Sequence, residues 1–515
     1  MTDTIAISYH TAAHCRVNAP DAILIELREF FTYDVPGARF MPKFKNKHWD
    51  GKIRLFNSIE RLLPTGLIYR LIEFAKQNDC ELKADKQSLP ARLKLNAEQF
   101  HQWCMNLVIL GNDGQVITPK DYQIQGAYDA LKWNKRTILS PTGSGKSLII
   151  YLICKYLLEN EFEDAEKVLI LVPTINLVSQ MKQDLSDYSD GVYADFIHAI
   201  HGGIENTSAN ARIYISTWQS LYKQPAEYFD CFGALIGDEC HQYKSTEIKR
   251  APEKCKNATF RIGLTGTIAN NEKNKANIAT IEGVFGKVVR PKTDAGVEVH
   301  TKTLMNRGEL VPIDIQIISL KYNDEVSAKI QAVHDYAAEV DYITNSFRRD
   351  AIIVREAFSE TGNVLVLFFN IEHGRRMEKI ANLFREKTKS TRKVMFVSGS
   401  TKVDERENLR RIMETESNCI TFASMGVFST GVNIRNLPNL YLAHPRKSLI
   451  AVLQSIGRGL RKHSEKTHLN VKDFVDDFRV KGKKKENFLL KHAAERLQIY
   501  LKSGFPHSFA TISIN

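Results

Sequence analysis

Short, uninterrupted apolar runs separated by stretches of helical length dominate the middle of the chain. Arg136-Thr137-Ile138-Leu139, Val168-Leu169-Ile170-Leu171-Val172, Arg212-Ile213-Tyr214-Ile215, Ala234-Leu235-Ile236-Gly237 and Ile262-Gly263-Leu264 follow one another. Such runs lack the alternation of a half-exposed strand. They suit strands covered on both faces, in a parallel sheet with helical crossovers. The pattern restarts at Asn363-Val364-Leu365-Val366-Leu367-Phe368, Val394-Met395-Phe396-Val397, Cys419-Ile420-Thr421-Phe422 and Leu440-Tyr441-Leu442, predicting a second α/β domain. Between the two, 285–350 holds Pro291, Gly296, Gly308 and Pro312 and reads as a connection with a helical stretch.

The ends have a different texture. Residues 1–110 mix short strand-like and helix-like patterns, an α+β accessory domain. Residues 481–515 open on Lys481-Gly482-Lys483-Lys484-Lys485 and continue as a helix-like pattern over 487–502. The expected division is 1–110, 111–290, 291–480 and a basic, helical extension at 481–515.

Composition narrows this little. Apolar residues make up 43% of the 515, enough for several cores, and Lys plus Arg exceed Asp plus Glu by 71 − 59 = 12. That excess favours a polyanionic partner. The first residues lack a basic segment followed by an apolar one, and the apolar stretch at 148–158 is interrupted by Lys155. A soluble, cytoplasmic protein with no membrane partner is expected. Eight cysteines are scattered without a CxxC pair, which suits reduced packing residues better than zinc or disulfides.

Chemistry enters at Ser140-Pro141-Thr142-Gly143-Ser144-Gly145-Lys146-Ser147, between a predicted strand and a predicted helix. Gly143 and Gly145 permit a tight loop whose amides, with those of Thr142 and Ser144, face phosphate oxygens at a helix N-terminus. Lys146 reaches the outer phosphates of ATP, and the Ser147 hydroxyl suits the shell of Mg2+. Asp238-Glu239-Cys240-His241 closes another predicted strand. Asp238 can hold the magnesium and Glu239 can orient or deprotonate the attacking water. His241 either couples hydrolysis to the second domain or caps a helix. Gln123 offers donor and acceptor together for an adenine edge.

In the second domain Gln454-Ser455-Ile456-Gly457-Arg458-Gly459-Leu460-Arg461 places Arg458 and Arg461 three apart, on one face of a helix. One of these guanidinium forks could serve as an arginine finger on ATP lying between the domains; a basic helix facing solvent or nucleic acid is the other reading. In the first segment, Lys43-Phe44-Lys45-Asn46-Lys47-His48-Trp49-Asp50-Gly51-Lys52 interleaves cations with aromatics. Lys45, Lys47 and Lys52 suit a nucleic-acid backbone, and Phe44 and Trp49 either stack on bases or serve a small core.

The ordered set comprises Gln123, 140–147, Val172-Pro173-Thr174, Ser216-Thr217-Trp218-Gln219-Ser220, 238–241, Leu264-Thr265-Gly266-Thr267, Val397-Ser398-Gly399, 424–431 and 454–461. It resembles the second helicase superfamily in its DExH branch. Trp49-Asp50-Gly51-Lys52-Ile53-Arg54-Leu55 and Arg61-Leu62-Leu63-Pro64 narrow the resemblance to the recombination helicases of T-even-like phages. The resemblance implies two tandem RecA-like motor domains acting on branched DNA: Holliday junctions, stalled forks, displacement loops and the RNA–DNA hybrids of R-loops. It implies backbone contacts from Thr174, Thr217 and Ser398, coupling through Thr265 and Thr267, and Gly431 close to the nucleotide. A monomeric motor in the host cytoplasm, with replication or recombination proteins as partners, is expected on the same ground. A duplex translocase without strand separation, an RNA helicase, and a binding protein with ATP as a mere switch remain alternatives. Glu239 and Arg461 favour turnover over the switch.

Overall fold

The computed structural model describes residues 3–85, 93–200, 210–243, 251–268, 274–426, 434–444, 456–457, 459–480, 482 and 485–514. Contacts divide the chain into two compact units, Met1–Val299 and His300–Asn515.

The first unit opens with β1 (Thr4–Tyr9), β2 (His14–Asn18) and α1 (Asp21–Phe30). β3 (Thr32–Asp34), α2 (Pro42–Lys45) and β4 (Lys52–Arg54) follow, with β3 and β4 paired antiparallel. β5 (Leu62–Pro64), α3 (Ile68–Gln77) and β6 (Glu81–Ala84) complete a mixed sheet in the order β5-β2-β1-β6. Its strands alternate: Ile5 and Ile7 of β1 and Cys15 and Val17 of β2 point into a core with Leu24 and Leu27 of α1 and Leu71 and Phe74 of α3. One covered face explains the mixed texture of this stretch in the sequence.

After α4 (Ala97–Met105) and α5 (Asp121–Trp133) comes a seven-stranded sheet. Its strands are β7 (Lys135–Leu139), β8 (Lys167–Val172), β9 (Ile197–Ile200), β10 (Ile213–Thr217), β11 (Phe232–Gly237), β12 (Phe260–Thr265) and β13 (Val288–Val289). All neighbours run parallel, in the order β13-β7-β12-β11-β8-β10-β9. The crossovers include α6 (Lys146–Tyr156) and α7 (Ile175–Tyr188). Five consecutive apolar residues of β8, Val168 to Val172, are buried because helices cover both faces.

The two parts of this unit meet on the helix Lys275–Phe285. Phe285 closes under the sheet beside Gly237 and Gly263, while Arg70 of α3 donates from Nε to Glu282 Oε2 at 3.1 Å and from Nη1 to Tyr33 Oη at 3.3 Å. Gly66 passes so close that a Cβ there would lie 2.0 Å from the Glu282 carbonyl oxygen. Backbone cannot move aside as a flexible side chain does. Gly66→Ala is therefore expected to destabilise the first unit by about 1–3 kcal/mol, read as a lower midpoint in denaturant unfolding.

The second unit holds β14 (Ile313–Tyr322), β15 (Val364–Phe368), β16 (Lys393–Val397), β17 (Cys419–Ser424), β18 (Asn439–Leu442), β19 (Leu469–Asp477) and β20 (His507–Ile514). They form another parallel sheet, β16-β17-β15-β18-β19-β14-β20. The stretch read from sequence as a connection thus contains a strand, β14, that lies between β19 and β20. The segment beyond 481 supplies the helix Phe488–Ser503 and then the edge strand β20. Arg496 on that helix meets Asp473 of β19 at 2.8 Å, with both side chains buried. Among the described residues no helix is long and apolar enough to cross a membrane.

Candidate active site

Parallel pairing turns the C-terminal ends of β7, β11 and β12 to one edge of the first large sheet, where ligands of open α/β folds bind. The phosphate loop leaves β7 there. Gly143 and Gly145 take φ of 86° and 78°, the left-handed region that glycine enters without cost, and α6 starts at Lys146. A side chain at Gly145 would collide with Gln123, its Cβ 2.3 Å from Nε2.

The loop is braced from below. Ser140 Oγ donates to Ser144 Oγ at 2.7 Å and the Ser140 amide donates to the Thr265 carbonyl at 3.0 Å. A serine at the first position of the motif, where the simple pattern has glycine, therefore supplies a bond. Gln123 Nε2 donates to the Ser144 carbonyl at 2.8 Å, and its Oε1 accepts the Lys120 amide at 2.8 Å. Both ends of the amide proposed for adenine are engaged within the protein, and Gln123 holds the loop in place.

The acid pair sits at the end of β11. Asp238 is buried, its Oδ1 accepting the Glu239 amide at 2.9 Å. Burial first, and then the neighbouring Glu239 charge, push its carboxyl up to about 7, against the pull of the Lys146 cation. Glu239 takes a left-handed backbone, φ 46° and ψ 44°, uncommon for a residue with a Cβ and a form of strain found at functional sites. Its carboxylate lies 3.7 Å from Lys146 Nζ and 3.1 Å from His241 Nδ1, and it accepts from Thr265 Oγ1 at 3.4 Å. His241 Nδ1 is in turn 2.8 Å from Thr265 Oγ1, and the Thr267 amide donates to that hydroxyl at 3.4 Å. Lys146, Asp238, Glu239, His241, Thr265 and Thr267 thus form one cluster. Gly266 lets Thr142 into it: a Cβ there would lie 2.9 Å from Thr142 Oγ1 and 3.4 Å from Lys146 Nζ.

Chemically the cluster offers a cation that phosphates could take, a carboxylate that could serve water, and the Asp238 carboxylate, a hard oxygen donor of the kind magnesium takes; Ser147, next in the chain after Lys146, offers a hydroxyl of the same kind. A buried acid forced toward its protonated form beside a second carboxylate is a group that a divalent cation would relieve.

Other expected site residues lie elsewhere. Thr174 precedes the first residue of α7, and Thr217 is buried, accepting the Ser220 amide at 3.3 Å to cap the short helix Trp218–Leu221. In the second unit Ser398 is buried with its Oγ 2.8 Å from Ser400 Oγ, and Arg461 is half-buried beyond Leu460. Gly431, Gln454 and Arg458 lie outside the described residues. Lys45, Lys47 and Lys52 are exposed on the N-terminal segment, Lys52 Nζ 4.0 Å from Asp34. Trp49 is half-buried, outside the core there, and donates from Nε1 to the Lys52 carbonyl at 2.8 Å. Tyr188, whose hydroxyl is 3.0 Å from Ser147 Oγ, carries no sequence signal: 41 positions separate the two, and only the fold brings them together.

Comparison with known proteins agrees along the whole chain. Residues 4–85 match the family described as DNA helicase UvsW, N-terminal, and residues 116–270 match the family described as type III restriction enzyme, res subunit. The ATP-dependent DNA helicase uvsW of Enterobacteria phage T4 is 34% identical over 525 aligned residues, covering 99% of this chain and 100% of that protein. The crystal structure of T4 UvsW aligns with a TM-score of 0.52 at 31% identity, over 99% of each chain. A fragment of a putative HsdR subunit of a type I restriction enzyme from Vibrio vulnificus aligns with a TM-score of 0.56 at 19% identity, covering 76% of this chain and 67% of that one. That similarity shows a shared fold alone. The chain belongs to the UvsW family of ATP-dependent DNA helicases and is an ATP-hydrolysing helicase.

Proposed function

We propose that this helicase remodels branched DNA in recombination, repair and replication: Holliday junctions, stalled forks, displacement loops and the RNA–DNA hybrids of R-loops. The observation that carries this reading is the N-terminal segment, which matches the family alongside the motor and presents an exposed basic and aromatic surface. Phe40 is 66% exposed and Phe44 37%, with Lys43, Lys45, Lys47 and Lys52 exposed around them. Cations for phosphates beside rings for unpaired bases suit a point where duplex opens into single strands.

Lys146 and the loop amides hold the phosphates of ATP, with Ser147 and Asp238 toward Mg2+. Magnesium held by them would supply positive charge to offset the outer phosphates. Glu239 orients or deprotonates the attacking water. Arg461, together with Arg458 and Gln454 of the same string, answers the charge that develops on the transferred group. Thr174, Thr217 and Ser398 serve the sugar–phosphate backbone, which reads no base, so sequence preference is low and affinity falls as salt rises. The protein acts as a monomer in the cytoplasm of the host cell.

The test compares DNA-stimulated ATPase and unwinding on a four-way junction, a fork, an R-loop and plain duplex of equal length. Branched substrates are expected to stimulate turnover several-fold over plain duplex. Equal stimulation by duplex and junction would reduce the protein to a duplex translocase.

A further inference from the structure

Helix α7 ends at Tyr188, beside the serine that follows Lys146 in the phosphate loop. The Tyr188 hydroxyl lies 3.0 Å from Ser147 Oγ, and its ring is held against Tyr151, centroids 5.5 Å apart at 56°.

A hydroxyl presents a lone pair to a cation only when its own proton points away and has an acceptor there. Ser147 meets that condition when Tyr188 Oη takes its proton. Without an acceptor the serine rotor is free to turn its O–H toward the cation, and the ligand is lost for part of the time. We propose that Tyr188 is a positioning residue of the metal–nucleotide site: it accepts the Ser147 hydroxyl proton and presents the Ser147 oxygen to magnesium. The proposal rests on the assignment of magnesium to Ser147.

Tyr188→Phe removes the hydroxyl and keeps the ring against Tyr151. The affinity of a fluorescent ADP is measured in magnesium and in excess EDTA for the wild type, Tyr188→Phe, Ser147→Ala and the double variant. Tyr188→Phe is expected to weaken binding in magnesium by about three- to tenfold, the value of one hydrogen bond, and to leave binding in EDTA unchanged. The double variant should bind no more weakly than Ser147→Ala alone. Unchanged EDTA binding also shows that the variant is folded around an intact phosphate loop. Unaltered affinity in magnesium, an equal loss in EDTA, or additive losses in the double variant would each overturn the role of Tyr188. If Ser147→Ala itself keeps the full gain from magnesium, the metal assignment fails, and that failure is separate from the other three.

Discussion

Glu239→Gln is expected to lower DNA-stimulated ATP turnover by about a hundredfold or more, the usual contribution of a general base, while ATP and DNA still bind. Among the described residues the carboxylate is the one acid that touches Lys146, His241 and Thr265 together, a position suited to orienting water against a phosphate at Lys146. Glutamine has the same length and still accepts from Thr265, but it cannot take a proton and carries no charge for Lys146. Position 239 sits at φ 46°, and Gln meets that conformation with the same cost as Glu, so the backbone turn survives the exchange. Nucleotide affinity and steady-state hydrolysis, each with and without a forked DNA, separate binding from chemistry. Retention of full stimulated turnover would remove Glu239 from the catalytic step.

The path of the phosphate loop was legible because it is set locally: two glycines between a strand and a helix determine the backbone turn that opens α6. The acid pair was legible for the same reason, since it closes the apolar run of β11. Most strands of both large sheets were legible as apolar runs, because parallel strands covered on both faces have little room for polar side chains. β19 escaped that reading. Its sequence, Leu469-Asn470-Val471-Lys472-Asp473-Phe474-Val475-Asp476-Asp477, places three acids in a strand inside the second sheet. Arg496 neutralises Asp473 and Arg349 neutralises Asp476, with Tyr500 and Tyr322 donating hydrogen bonds to the same carboxylates, from elements 20 or more residues away in the chain. Hydropathy counts the acids and cannot see their partners. β14 was hidden by a proline and a glycine at its approach, and by its alternation, Ile313-Asp314-Ile315-Gln316, where the strands that were read show uninterrupted apolar runs. Gln123 illustrates the converse: its place in the ordered set was readable, but its engagement of the Ser144 carbonyl depends on how α5 packs over the loop.

The same buried acids locate the largest expected loss of stability. Asp476→Ala should destabilise the second unit by about 3–5 kcal/mol, because it strips a fully buried guanidinium of its counter-charge. Arg349 donates from Nε to Asp476 Oδ1 at 2.7 Å and from Nη2 to Oδ2 at 3.0 Å, and neither side chain has any solvent exposure. After truncation the Ala443 carbonyl, 3.0 Å from Nη2, would remain. Arg349 Nη1 already lacks a partner among the described residues, and Asp350, the other acid whose charge acts on Arg349, is already engaged by His373 and Arg376. Tyr322, whose hydroxyl donates to Asp476 at 2.8 Å, loses its acceptor at the same time. Denaturant unfolding of the single variant measures the loss. Replacing both partners by apolar residues of similar volume, Arg349→Met with Asp476→Leu, is expected to recover most of it, because no buried charge is then left alone. Nucleotide affinity at the phosphate loop, in the other unit, should be unchanged in both variants. A midpoint for Asp476→Ala corresponding to less than about 1 kcal/mol of loss would mean that water reaches Arg349 once the acid is gone, and that β19 is held in the sheet by its apolar neighbours Val471, Phe474 and Val475 alone.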